Sequence, residues 1–291
     1  MLIVRLIADP AGLETRIKNL RAAWDDKGWS SRIERDAGAM VELRVSSWDV
    51  AEVRVTIDER IGPSDGLVTA IPPVTPRLFI SDMDSTMIGQ ECIDELADYA
   101  GIKPQIAAIT ERAMQGELDF EAALRERVGL LCGLEEGAIA QCLHERITPN
   151  RGARIVVETL KAKGCKTVLV TGGFHHFADP VAAQIGFERV VGNRLEVSDG
   201  KLTGGLDGPV VDSSVKQSVL EEEMQALGAR ATSLAAGDGA NDIPMLDAAD
   251  IGVAYRAKPK ARASANCWID RGDLTSILIL LGIATEDWAE T

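Results

Sequence analysis

The chain contains 291 residues, of which 46% are hydrophobic and 26% are charged, and its formal net charge is −14. This length predicts two or three folded units, and the composition is typical of a soluble globular protein. The negative charge excludes nucleic acid and anionic membranes as expected partners, because both bind basic surfaces. Scattered cysteines without C-x-x-C spacing, and an N-terminus without a signal-peptide pattern, predict a cytoplasmic protein with reduced thiols. The longest apolar run is too short to span a membrane.

The first 75 residues predict a small α+β unit. Apolar or alternating segments predict strands at Leu2–Ala8, Val41–Val45 and Leu67–Ile71, and more weakly near Ser31–Glu34. Helical spacing of apolar residues predicts helices from Asp9 to about Asp26 and over Asp49–Ile61. The order βαββαβ resembles ACT-like and ferredoxin-like modules. A proline-rich stretch at 72–76 predicts a linker, so we expect one domain at 1–75 and a second at 76–291.

The sequence pattern of the second domain predicts an α/β fold with a helical insertion. An apolar run at residues 78–81 predicts its first strand, and no strand-like run follows until residue 166. A parallel crossover requires only one helix, so the predicted helices at about 91–147 form an inserted cap. These cap helices are predicted at Ile93–Ala100, Pro104–Met114, Phe120–Leu131 and Glu135–Glu145.

Strands and helices alternate again after the cap. The Asp199-Gly200 pair predicts the turn of a β-hairpin. The predicted helices are Ala153–Lys163, His175–Ile185, Val215–Leu227 and Ile243–Ala248, and the predicted strands are Lys166–Val170, Asn193–Val197, Lys201–Thr203, Thr232–Ala236 and Ile251–Ala254.

Two carboxylates, Asp82 and Asp84, follow the first strand of this α/β domain at spacing i, i+2. The carboxyl end of a parallel strand lies in the crevice where open α/β sheets bind ligands. Two adjacent carboxylates repel each other unless a cation lies between them or one is protonated. The pair therefore indicates either a hard metal ion or an acid/base group beside a nucleophile, and alone it fits a solvated turn equally well.

Three further polar clusters follow in chain order. Thr171-Gly172-Gly173 ends an apolar strand, and Lys216 lies in the first turn of a helix. Asp238 and Asp242 surround Asn241 after another strand. Taken singly, the lysine fits a surface group and the two aspartates fit helix N-caps.

The order of these clusters resembles the haloacid dehalogenase (HAD) superfamily, whose motifs are D-x-D, a Ser or Thr, a Lys, and G-D-x-x-x-D. The segments D-M-D-S-T-x-I-x-x-E-C-I-D-E-L-A, L-R-E-R-V, D-G-K-L-T-G and G-D-G-A-N-D-I-P-M-L further resemble the phosphoserine phosphatases. The resemblance extends from about Arg77 to about Leu281. It implies a Rossmann-like parallel sheet with an inserted helical cap.

The resemblance also implies the catalytic roles. Asp82 is the expected nucleophile, which forms an aspartyl-phosphate, and Asp84 is the expected acid and base. Mg²⁺ is the expected cofactor, held by Asp82, the backbone carbonyl of Asp84, and Asp238. Asp242 is expected to bind a metal-bound water or to orient its loop.

The same resemblance implies the substrate contacts. Thr171 and the Gly172 amide are expected to bind phosphate oxygens, while Lys216 balances the negative charge. Asn241 is expected to bind Lys216 or the substrate. Glu91 and Arg127 match the positions that bind the ammonium and the carboxylate of serine. Phe120 and Met114 are expected as apolar walls of the cap, whereas His175 and His176 are expected to be structural.

These expectations together describe a Mg²⁺-dependent phosphatase that hydrolyses O-phospho-L-serine in the last step of serine biosynthesis. One alternative is a phosphotransferase or a phosphatase for another small phosphate, which the Glu91/Arg127 pair disfavours. Another is a non-catalytic amino-acid sensor, which four intact motifs disfavour. A homodimer is compatible with the sequence, which does not itself define the oligomeric state.

Overall fold

The structure, a computed structural model, describes residues 1–36, 40–114 and 117–290, with the side chains of Asp36 and Met114 left out. The expected role of Met114 as a cap wall therefore lies outside the described side chains. The strands are β1 (Leu2–Ala8), β2 (Ser31–Asp36), β3 (Val41–Val45), β4 (Ser64–Thr69), β5 (Leu78–Ser81), β6 (Lys166–Phe174), β7 (Arg189–Asn193), β8 (Leu195–Ser198), β9 (Lys201–Leu206), β10 (Ser233–Gly237), β11 (Ile251–Tyr255) and β12 (Cys267–Ile269).

The α-helices are α1 (Leu13–Asp26), α2 (Val50–Ile61), α3 (Cys92–Tyr99), α4 (Lys103–Met114), α5 (Phe120–Gly129), α6 (Gly137–Arg146), α7 (Ala153–Ala162), α8 (His175–Ile185), α9 (Ser213–Leu227), α10 (Ile243–Ala248), α11 (Pro259–Ser264) and α12 (Ser276–Leu281). Aspartate side chains cap several of them: Asp212 Oδ1 accepts from the amides of Ser214 and Val215 at the start of α9. Such caps satisfy amides that lack helical partners, so they define where these helices begin.

Six parallel strands form the central sheet, in the order β12-β11-β10-β5-β6-β7. The first strand of this parallel sheet in chain order, β5, lies between β10 and β6, so the chain winds outward from it in both directions. Ligands bind at such a switch point, outside the carboxyl ends of the strands. The expected HAD-type sheet is confirmed, and Asp82 and Asp238 follow its two central strands.

The first four strands form an antiparallel sheet in the order β2-β3-β1-β4. With α1 and α2, this is the ferredoxin-like arrangement that the sequence predicts. Its edge strand β4 pairs antiparallel with β12, so ten strands form one continuous sheet. The Trp268 indole lies over Gly66, where a Cβ would lie 2.3 Å from the ring. The expected boundary near residue 75 therefore separates two units that share a sheet.

A buried carboxylate connects these two units. Asp65, which is 1% exposed, accepts hydrogen bonds from the amides of Asp270, Arg271 and Gly272. The Ser276 hydroxyl also donates to Asp65 Oδ2, at 2.8 Å. A carboxylate with several charge-assisted donors is among the stronger polar contacts in proteins. Asp65 therefore holds the segment after β12 against the N-terminal unit.

We expect Asp65→Ala to lower the free energy of unfolding by about 2–4 kcal/mol, because it leaves three partly buried amide donors and the buried Ser276 hydroxyl without this acceptor. Urea denaturation of the full chain measures this loss. Asp58→Ala is the control, since Asp58 also contacts the other unit through Arg262 but is half exposed. Its cost should be less than about 1 kcal/mol. Equal losses in the two variants would contradict the role given to Asp65.

The cap consists of α3–α6, inserted between β5 and the crossover helix α7, as the sequence predicts. Its C-terminal half is fastened to the core by the β8–β9 hairpin. The amide of Gly133 donates to the carbonyl of Leu202, and the amide of Leu202 donates to the carbonyl of Leu134. The cap is therefore anchored on a hairpin that lies far from it in sequence. No helix in the described ranges is both long and apolar enough to cross a bilayer.

Candidate active site

Three acids from two loops meet at the carboxyl ends of β5 and β10. One oxygen atom each from Asp82, Asp238 and Asp242 lie within 4.8 Å of one another, and all three residues are buried. The Lys216 ammonium, 1% exposed, lies 2.6 Å from Asp82 Oδ1 and 2.7 Å from Asp242 Oδ1. The structure therefore brings together Asp82, Lys216, Asp238 and Asp242, which are far apart in sequence.

Asp242 has contacts for both of its carboxylate oxygens. Oδ1 accepts from Lys216, and Oδ2 accepts from the amides of Asp238 and Gly239 at 3.2 and 3.0 Å. A Cβ at Gly237 would lie 2.5 Å from the Asp242 carboxyl carbon, so glycine permits this approach. The side chain thus folds back onto its own loop and makes no capping bond to α10. This geometry fits the expected role of orienting the loop.

The donor set fits a divalent hard cation. Oxygen ligands from carboxylates and carbonyls are those that Mg²⁺ binds, and Asp82 and Asp238 present them at one point. Asp84 Oδ1 is buried and has no hydrogen-bond partner among the described residues. Burial, followed by the charge of Asp242, raises the pKa of Asp82, while Lys216 opposes this shift. A bound cation beside Asp82 favours its charged form.

Lys216 is held as an ammonium by its two carboxylate contacts. Burial alone would lower the pKa of Lys216, but the charges of Asp82 and Asp242 raise it above its usual value. Breaking such a buried pair on one side leaves an uncompensated charge, which is strongly destabilising. Lys216 therefore supplies a positive charge beside Asp82.

Asp84 has the electrostatic properties of an acid/base group. Burial and then the charge of Glu91 raise the pKa of Asp84 to about 7, against a downward contribution from Cys92. A carboxyl with a pKa near the working pH is suited both to donate and to accept a proton. The side chain also lines a cavity between the sheet and the cap.

Asp84 is expected to make the metal-free protein less stable as the pH rises. Because its folded-state pKa is raised from 3.8 to about 7, the folded chain binds more protons between these values, and its stability falls across this window. In EDTA, wild type should lose about 3 kcal/mol relative to Asp84→Asn between pH 4.5 and pH 8. Thermal unfolding of both proteins measures this. A difference that stays constant with pH would contradict the raised pKa.

A bulge in β6 shapes the expected phosphate-binding loop. Residues 171–173 lie opposite a single residue of β7, because the pairing shifts between Val170 and Phe174. The Gly173 amide donates to Thr171 Oγ1 at 2.9 Å, which leaves the hydroxyl proton free to donate. Thr171, Gly172 and Gly173 all line the cavity. The predicted strand ends at Val170, whereas β6 continues through this bulge to Phe174.

The buried Asn193 supports this loop. Its amide donates to the Gly172 carbonyl at 2.8 Å and its oxygen accepts from the Val211 amide at 2.8 Å. It thereby joins the Thr171 loop to the segment that leads into α9 and Lys216. The sequence analysis assigned Asn193 no function. Its position at the carboxyl end of β7 was the available signal, but that strand was not predicted.

The cap supplies the other wall of a cavity of about 210 Å³. Glu91 and Arg127 both line it, as does Phe120, whose ring would lie 3.2 Å from a Cβ at Gly172. Burial lowers the pKa of Arg127. Among the described residues, Arg127 makes no ion pair, and its Nε donates to the Ala123 carbonyl at 3.3 Å. The guanidinium is therefore available to an anionic ligand.

The remaining predicted residues are also placed. Asn241 lines the cavity, and its amide lies 3.5 Å from Asp242 Oδ1. The Ser85 hydroxyl, on a residue with φ +55°, donates to Glu91 Oε1 at 2.7 Å. His175 Nδ1 lies 2.7 Å from Asp179 Oδ1, and the described cavity lining includes neither His175 nor His176.

Lys258 is a cavity-lining residue that the sequence analysis did not single out. Its ammonium lies 3.5 Å from Asp238 Oδ2, and its amide donates to the Asp238 carbonyl at 2.9 Å. It follows β11, at the same edge of the sheet as the other site residues. That position after a parallel strand was the signal that could have identified it.

A family comparison matches this arrangement. The model of the haloacid dehalogenase-like hydrolase family matches residues 79–247, which include every motif described above. The chain belongs to this family.

Similar curated proteins carry the name phosphoserine phosphatase. Those of Albidiferax ferrireducens and Streptococcus thermophilus are each 43% identical over 70% of this chain, covering 89% and 95% of their own lengths. That of Haemophilus influenzae is 43% identical over 70% of this chain but only 65% of its own length. These relatives are phosphoric monoester hydrolases, and the chain is an enzyme of the same class.

Solved structures agree with the fold. A HAD family hydrolase of Salmonella enterica serovar Typhi has a TM-score of 0.83 at 28% identity, covering 97% of this chain and 99% of that one. A probable phosphoserine phosphatase of Vibrio cholerae has a TM-score of 0.75 at 30% identity, covering 98% of this chain and 88% of its own. A phospho-aspartyl intermediate analogue of phosphoserine phosphatase has a TM-score of 0.64 at 37% identity. The match covers 70% of this chain and 98% of that one.

Proposed function

We propose that this enzyme hydrolyses O-phospho-L-serine to L-serine and phosphate. The observation that carries the proposal is a single cavity lined by two sets of charges. Asp82 and Asp84 lie on its sheet side, and the opposite charges of Glu91 and Arg127 lie on its cap side. A phosphorylated amino acid carries an ammonium and a carboxylate in addition to its phosphate. Sugar phosphates lack this charge pair and would leave both side chains unmatched.

Asp82 attacks phosphorus in line and forms an aspartyl-phosphate, with release of the seryl oxygen. Asp84 donates the proton that this oxygen needs to leave, and then accepts a proton from the water that hydrolyses the intermediate. A pKa near 7 allows one carboxyl to perform both transfers. Lys216 and the Thr171 loop stabilise the charge that develops on the phosphate oxygens. The relative described as a phospho-aspartyl analogue supports this route.

Mg²⁺ would be held by Asp82, the backbone carbonyl of Asp84, and Asp238. When bound, it would neutralise the repulsion between the nucleophile and the phosphate. Asp242 would stay on its loop, where its oxygens already have protein partners. We place this reaction in the cytoplasm as the last step of serine biosynthesis. A homodimer stays a prediction.

Asp82→Asn should abolish turnover, since an amide cannot form the acyl-phosphate, and a loss on the order of 10⁴-fold in kcat is expected. Mass spectrometry of acid-quenched wild type, turning over phosphoserine, should detect a phosphorylated peptide containing residue 82 that the variant lacks.

EDTA should abolish activity and added Mg²⁺ should restore it. Near-normal turnover of the purified variant would contradict covalent catalysis, and full activity in EDTA would contradict the metal.

The amino-acid specificity is tested at the two cap-side charges. Arg127→Ala and Glu91→Gln should each lower kcat/KM for phosphoserine by about 10- to 150-fold, because each removes a charge-assisted contact of about 1.5–3 kcal/mol. Hydrolysis of p-nitrophenyl phosphate, which has neither ammonium nor carboxylate, should change much less.

Arg125→Ala is the matched control, because Arg125 lies on the same helix but is exposed and paired with Glu121. It should leave both substrates unaffected. Equal losses on both substrates in the Arg127 and Glu91 variants would mean that these residues serve the fold or the chemistry. The phosphoserine assignment would then lose its physical basis.

A further inference from the structure

The charges on the cavity wall are unbalanced. Among the described residues, four carboxylates line it, from Asp82, Asp84, Glu91 and Asp238, whereas the cations that line it are Arg127 and Lys258. Lys216 lies behind the wall, 1% exposed and already in contact with two carboxylates. A substrate with a phosphate dianion needs positive charge at the phosphate end. Arg127 could bind the phosphate only if it no longer bound the carboxylate of the amino acid.

Lys258 has the position and the freedom that such a cation requires. Its backbone is fixed, because its amide donates to the Asp238 carbonyl at 2.9 Å and α11 begins at the next residue. Its side chain is 64% exposed, and its ammonium lies 3.5 Å from Asp238 Oδ2. That distance is long for a charge-assisted hydrogen bond, so the contact is weak and exchangeable. The stem can therefore redirect the ammonium without moving the loop.

We propose that Lys258 is a phosphate-binding residue whose ammonium neutralises Asp238 in the empty site and turns to a phosphate oxygen when substrate enters. The proposal rests on the proposed function only in requiring that this cavity bind a phosphate group. It does not depend on which alcohol carries the phosphate.

Two opposite effects follow from this arrangement. In the empty site, Lys258 and a divalent cation compete for Asp238, so removing the ammonium should tighten Mg²⁺ binding. In the occupied site, the same ammonium attracts the phosphate, so removing it should weaken phosphate binding. A residue that only supported the loop would weaken both, because Asp238 would lose its position.

The test compares Lys258→Ala and Lys258→Arg with Lys260→Ala in the full-length protein. Lys260 is an exposed lysine two residues further along, outside the described cavity lining, so it controls for the general effect of charge. Calorimetry measures the Kd of Mg²⁺ for the substrate-free protein. The Ki of inorganic phosphate is measured against p-nitrophenyl phosphate hydrolysis at saturating Mg²⁺.

Lys258→Ala should lower the Kd of Mg²⁺ and raise the Ki of phosphate, each by roughly 3- to 10-fold. Lys258→Arg should stay close to wild type, because it keeps the charge, and Lys260→Ala should change neither constant by more than about twofold. The proposal is overturned by an unchanged phosphate Ki in Lys258→Ala, by weaker Mg²⁺ binding, or by equal effects in Lys260→Ala.

Inhibition by L-serine separates the two ends of the cavity. If Lys258→Ala raised the Ki of L-serine while leaving that of phosphate unchanged, the ammonium would bind the amino-acid carboxylate, and the proposal would be wrong. Because none of these measurements uses phosphoserine, they can fail or succeed independently of the assigned substrate. Loss of phosphoserine selectivity in the Arg127 and Glu91 tests would leave the role of Lys258 standing.

Discussion

The ammonium of Lys216, almost completely buried, contacts Asp82 at 2.6 Å and Asp242 at 2.7 Å. These three residues come from the loops after β5 and β10 and from the first turn of α9. A buried ammonium is tolerated only when it is paired with carboxylates. The two loops and the start of α9 therefore depend on one another's positions. Asp242 passes this constraint on to Asp238, because its second oxygen accepts from the Asp238 and Gly239 amides. The carboxylates of Asp82 and Asp238 are thus positioned by a buried network of three charged residues.

The two ends of the cavity are built by different means. The end proposed to bind phosphate lies on the sheet, where the β6 bulge and Asn193 hold the Thr171 loop. The end proposed to bind the amino acid lies on the cap, which is inserted into the chain and held by the β8–β9 hairpin. In the proposed function, the chemistry therefore depends on residues of the sheet, and the substrate preference depends on cap residues such as Arg127.

The N-terminal unit contributes in another way. It contains none of the proposed catalytic residues, yet its edge strand β4 covers the edge of the catalytic sheet at β12. An uncovered edge strand exposes unpaired amides and carbonyls to other chains. Asp65 and Arg54 reinforce the junction, since Arg54 donates to the Ala263 carbonyl at 3.0 Å. One consequence of this unit is therefore to complete the sheet on which the site is built.

The sequence alone supplied the chemistry proposed for this protein, because an acid pair, a hydroxyl, a lysine and paired acids follow one another in the order of the HAD motifs. It also predicted the cap, since helical periodicity without strands over 55 or so residues is a local signal. The tertiary structure was needed for every feature that forms between residues far apart in the chain. The pairing of β4 with β12, the Asn193 support, and the place of Lys258 beside Asp238 result from contacts between segments that local patterns do not relate. Short strands such as β7 and β12 are stabilised by their neighbours in the sheet, so their own residues carry too little periodicity to predict them.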